Sequence, residues 1–154
     1  PIAGDWDGDG DDTVGFYKPA ASEWYLKDDN TGGWTGFTKV VWGGAAGNIP
    51  IVGDWNGDGH DTIGFYVPSQ NKWWLKNNLL DGWTGVTGVN FGSADPMDPV
   101  AGDWDGDGVS TMGGYVPARW SWFLKDDQVD GWSNVTQLRF GVTADYEVLA
   151  GDWQ

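Results

Sequence analysis

The residues best equipped for chemistry in this chain are closely spaced acids. Asp5, Asp7 and Asp9 alternate with Trp6 and Gly8, and Gly10 follows. Asp54, Asn56 and Asp58 repeat the pattern before Gly59, and Asp103, Asp105 and Asp107 repeat it before Gly108. A hard cation such as Ca2+ takes roughly six to eight oxygen ligands from a tightly curled chain, with glycine at position 6 allowing the turn. Position 7 then offers a backbone carbonyl, so Asp11, His60 and Val109 can differ there. One Asp-Gly string would read equally well as a simple turn. Three copies in register favour the metal, and calcium is the expected cofactor, one ion per loop. At extracellular-type affinity, millimolar calcium would stabilise each site by roughly 1–2 kcal/mol.

The loop is not an EF-hand. Position 12 would need a bidentate Glu and holds Phe16, Phe65 and Gly114, and the flanks read as strands rather than helices. Other chemistries are excluded by composition. With no cysteine and a single histidine, His60, thiolate nucleophiles, disulfides and a conventional zinc cluster are all ruled out. A net charge of −15 argues against nucleic acid and against an anionic membrane surface. No apolar run is long enough for a membrane span. The chain opens at Pro1 without an initiator methionine, the pattern of a processed or excised piece.

The elements that must position these loops repeat with them. Gly-Asp-Trp begins at Gly4, Gly53, Gly102 and Gly151, each 49 residues after the last, and the overlay needs no gap. Residues 1–49, 50–98 and 99–147 are three units of a single repeat domain spanning 1–154, and 148–154 reads as the opening strand of a fourth. Within a unit, residues 1–6, 13–17, 23–27 and 37–42 read as short strands separated by Gly, Pro and Asn turns. Gly15, inside the second, suggests a bulge or a close backbone approach. Trp24 and Leu26 share one face of the third strand, and Tyr25 and Lys27 the other. The domain is expected to be all-β, with almost no helix.

These residues carry a resemblance. The loops, together with Phe91-Gly92, Phe140-Gly141 and the later Pro19, Pro68 and Pro117, look like the FG-GAP repeats of integrin-α-type β-propellers and their bacterial relatives. The resemblance covers the whole chain and implies four-stranded blades, each with a calcium loop between two strands. The family usually has Asp at loop position 9, where this chain has Thr13, Thr62 and Thr111. The nearest acids are Asp12 and Asp61 at position 8, with Ser110 in the third unit. Either position 8 supplies the last ligand or that ligand is weak, and on charge count the third site is expected to be the weakest. Three blades cannot close a ring, since propellers typically need about four to eight. A longer array, a homo-oligomer that completes the ring, or closure as a β-trefoil are the alternatives.

Tryptophan supplies the remaining signal. Trp6, Trp55, Trp104 and Trp153 are expected to pack between units, and Trp24, Trp73 and Trp122 within the core. Trp34, Trp83 and Trp132 each follow glycine in a turn, where an indole can stack on a sugar ring; burial is the competing expectation. Trp42, Trp74 and Trp120 depart from the repeat. Glu23, His60, Arg119, Arg139, Tyr146 and Glu147 also break it, without suggesting an acid/base pair. The expected function is a non-catalytic, calcium-stabilised, secreted or cell-surface module that binds carbohydrate or a protein surface. The alternative is a purely structural array appended to a larger protein.

Overall fold

The computed structural model describes residues 1–44, 46–142 and 146–148. Each repeat folds as one four-stranded antiparallel sheet whose strands lie in chain order. The first sheet contains β1 (Ile2–Gly4), β2 (Thr13–Lys18), β3 (Glu23–Lys27) and β4 (Phe37–Val41). The second contains β5 (Ile49–Gly53), β6 (Thr62–Val67), β7 (Lys72–Lys76) and β8 (Val86–Asn90). The third contains β9 (Asp98–Gly102), β10 (Thr111–Val116), β11 (Ser121–Lys125) and β12 (Val135–Arg139). Of residues 148–154, expected to open a fourth sheet, 149–154 lie outside the described residues.

The only helical turns among the described residues are 3-10 turns at Pro19–Ala21, Pro68–Gln70 and Pro117–Arg119. Proline presets φ at the first position of each. Ser22, Asn71 and Trp120 then reverse the chain in the left-handed region, at φ 53°, 49° and 52°. The ladder around Gly15 is continuous, Ile2 and Leu26 being its partners, so there is no bulge. The expected close approach is present instead, because a Cβ on Gly15 would lie 3.0 Å from both the Ile2 side chain and the Tyr25 carbonyl.

The sheets stack face to face, with β1 beside β5 and β5 beside β9. One core, Trp6, Trp24, Leu26, Val40 and Trp42 with Ile63 and Phe65, lies between the first and second sheets. The other joins Ile51, Trp55, Tyr66, Trp73, Leu75 and Val89 to Met112, Val116 and Phe123 between the second and third. Trp6 and Trp55 therefore pack between units. The middle sheet has a neighbour on each face, and all but the last residue of β6 is buried rather than every second one. In the first sheet alternate residues of β2 are exposed, whereas β10 of the third sheet is buried throughout, with Tyr146 against Tyr115. Val14 is 61% exposed at one end of the stack and Phe140 75% exposed at the other.

Candidate metal loops and the turn tryptophans

The first carboxylate of each loop organises the turn. Asp5 Oδ1 accepts the amides of Gly8 (2.8 Å) and Asp9 (3.1 Å), and Oδ2 accepts that of Gly10 (2.9 Å). Asp54 takes Gly57, Asp58 and Gly59 in the same way, and Asp103 takes Gly106, Asp107 and Gly108. Gly8 and Gly10 hold φ of 74° and 92°, as their equivalents do, so a side chain at either position would strain the curl. The position-5 carboxylate accepts the amide of position 7, from Asp11, His60 or Val109. The result gathers ligand atoms of Asp5, Asp7 and Asp9, and likewise of Asp103, Asp105 and Asp107, within 4.8 Å of one another. No Lys or Arg pairs with them among the described residues. An all-oxygen, anionic donor set of this kind suits a hard divalent cation.

The position-8 residues and the His60 and Val109 side chains at position 7 reach the preceding unit, whereas position 9 acts within its own. Asp61 Oδ2 accepts the amide of Asp5, while the Asp61 amide donates to the Asp5 carbonyl at 2.7 Å. Ser110 makes the same pair of bonds to Asp54. A serine can therefore replace the acid at position 8, because what is needed there is an acceptor for the preceding loop. Burial raises the Asp61 pKa, opposed by the Asp5 amide, and the neighbouring carboxylates of Asp12, Asp54 and Asp5 push it the same way as burial. The expectation that the third site is the weakest counted Ser110 as a lost ligand, and this geometry removes its basis. On charges at positions 1, 3 and 5, the poorer loop is the second, where Asn56 replaces an acid and its Nδ2 donates to Asp58 at 2.9 Å.

Gly4 and Gly53 make this contact between loops possible. A Cβ on Gly4 would lie 2.9 Å from Asp61 Oδ2, and one on Gly53 would lie 2.7 Å from the Ser110 side chain. At position 7, the His60 ring lies against Gly8, and Val109 lies against Gly57. The position-9 threonines are buried, and Thr13 Oγ1 donates to the Lys27 carbonyl at 2.6 Å. Thr62 and Thr111 reach the Gly53 and Gly102 carbonyls at 3.4 and 3.5 Å, so these hydroxyls tie strands together.

The turn tryptophans stand in the open: Trp34 is 72% exposed, Trp83 56% and Trp132 50%. Each turn is gripped from below by a lysine. Lys76 Nζ donates to the Gly82 and Thr84 carbonyls, Lys125 to Ser133, and Lys27 to Thr35. Lys76 and Lys125 are fully buried. The repeated Leu-Lys pair carries this signal in the sequence, but alternation alone assigns lysine to a solvent face.

At each junction an aromatic residue just beyond the last strand of one unit enters the next. Trp42 is buried against Phe65 and meets Trp83 edge-on at 5.7 Å, with Lys76 over its ring. Phe91 meets Trp132 at 5.0 Å with Lys125 over it. Trp24, Trp73 and Trp122 hold these residues in place, each indole donating to the carbonyl of Trp42, Phe91 or Phe140. Gly82 and Gly131 donate their amides to the carbonyls of Val41 and Asn90, and Asp81 and Asp130 accept the amides of the same two residues. Trp42 thus has a repeat role. Trp74 shares the same pocket, 5.2 Å from Trp83, whereas Trp120 is the exposed left-handed residue.

Other residues that break the threefold pattern do not converge. Glu23 is bound by Lys39, Lys18 and Tyr25, which lower its pKa to about 2. Arg119 pairs with Asp95 at 2.7 Å, and the Tyr146 hydroxyl donates to Asp98 at the start of β9. No family model, curated protein or solved structure matches the chain.

Proposed function

We propose that the chain is a non-catalytic, calcium-stabilised extracellular binding module made of β-propeller-type blades, as its resemblance to FG-GAP repeats implies. The blade reading is supported by three self-contained sheets with no strand shared between them and with their first strands adjacent. Asp5, Asp7 and Asp9, Asp54, Asn56 and Asp58, and Asp103, Asp105 and Asp107 would hold the ions. Position-7 carbonyls add to each set. Calcium would supply the positive charge that lets neighbouring carboxylates share one small volume.

The ligand is a carbohydrate, and the observation that carries this is the exposure of Trp34, Trp83 and Trp132 at equivalent turns. Indoles held on gripped turns present apolar faces without a large ordering cost, and repetition favours a multivalent ligand. The threefold recurrence of every chemical feature supports binding over catalysis. A glycan array of the wild type and of Trp34→Ala, Trp83→Ala and Trp132→Ala in millimolar calcium tests this. Binding that weakens with each substitution is expected, and no binding to any glycan would refute it. A structural array is the second reading, favoured by the contact of Trp83 and Trp132 with the preceding unit.

A further inference from the structure

The two internal junctions are made by the same parts, and among the described residues the aromatic insert of a third junction and the hollow that would receive one lie unused at opposite ends of the stack. At one end Phe140, the equivalent of Trp42 and Phe91, is 75% exposed, with Leu138 and Val142 exposed beside it. At the other end a hollow of about 380 Å3 is lined by Val14, Phe16, Tyr25, Lys27, Trp34 and Phe37, among others. These are the positions that receive the aromatic residue within the chain. Phe65, Lys76 and Trp83 meet Trp42, with Trp74 against Trp83, while Lys125 and Trp132 meet Phe91, with Phe123 against Trp132. In the first unit Trp34 already stands edge-on to Phe16, Tyr25 and Phe37 at 5.9–6.1 Å, so the walls are formed without the guest.

The polar half of the junction is also unpaired. Each loop clip joins position 8 to position 1 of the preceding loop, and among the described residues neither Asp12 at one end nor the Asp103 backbone at the other has such a counterpart. We infer that a second copy of this chain docks head to tail, placing Phe140 in the hollow of its neighbour's first unit. Gly33 of one copy then donates to the Arg139 carbonyl of the other, as Gly82 does to Val41 and Gly131 to Asn90. One bond is missing, because Gly32 stands where Asp81 and Asp130 accept the strand-end amide. The docking is therefore weaker than an internal junction and depends on concentration. Such a contact is heterologous: it joins different surfaces, and either closes a ring or runs on as a filament.

Phe140→Asp removes the inserted residue and leaves the hollow; Phe16→Asp spoils the hollow and leaves the inserted residue. Phe140 is exposed and Phe16 lies on the exposed face of β2, so unchanged circular dichroism will show that both variants fold. In millimolar calcium, sedimentation equilibrium should show the wild type associating and each variant at least about 100-fold weaker, the usual loss for an anchoring aromatic. The mixed variants should form a one-to-one dimer that grows no further, since only one complete junction can be assembled. A wild type that stays monomeric up to submillimolar concentration would overturn the proposal and leave both faces to further units of a longer chain. Association unaffected by either substitution, or variants that fail to pair with each other, would also overturn it.

Discussion

At the scale of single residues, loop acids that look alike in sequence do different work. Asp5 accepts three backbone amides, whereas Asp7 has no hydrogen-bond partner among the described residues. Asp5→Ala should therefore destabilise the protein by about 1 kcal/mol even in chelator, as loss of a capping side chain does. Asp7→Ala should not destabilise the chelated protein, since it removes a repelling carboxylate and no hydrogen bond, and should reduce its response to calcium. Chemical denaturation of both variants with and without calcium separates the two roles. Asn56 makes the second loop the least anionic, so a residue-resolved calcium titration should fill it last. A further residue-scale expectation concerns Trp120, a bulky side chain held at φ 52°. Trp120→Asn should stabilise the protein by up to about 1 kcal/mol in thermal melts, because asparagine tolerates that conformation and Asn71 already occupies the equivalent site.

Elements show how far the sequence reaches. β3 spans residues 23–27 as alternation predicts, and the Pro-led turn after β2 ends that strand where it should. Period-2 patterning is visible because each strand sets its own faces locally. The position-8 clip was hidden because its partner lies in a loop 56 residues earlier, so Asp61 and Ser110 read as a ligand and its loss. Lys76 was hidden for a related reason. Its aliphatic stem lies in the core while its ammonium reaches two turn carbonyls, and burial lowers its pKa against the opposing pull of Asp81. Lys76→Met should cost about 1–3 kcal/mol in urea unfolding, since it leaves buried carbonyls without a donor. A loss as small as that of an exposed lysine would contradict the role assigned here.

For the whole molecule, stacking turns three marginal sheets into one body. A four-stranded sheet of this size cannot bury both of its faces alone, and each gains a core only from its neighbour. The loops are joined along the same stack, so an ion bound in a loop would reinforce the packing of the sheets. Much of the net charge of −15 sits at these loops, and emptying them should loosen the stack by carboxylate repulsion. The decisive measurement is the melting temperature in millimolar calcium against excess chelator at constant ionic strength. Three sites each contributing roughly 1–2 kcal/mol should raise it by on the order of 10 °C with calcium, and magnesium should substitute poorly. A melting temperature that is the same in calcium and in chelator would contradict the account.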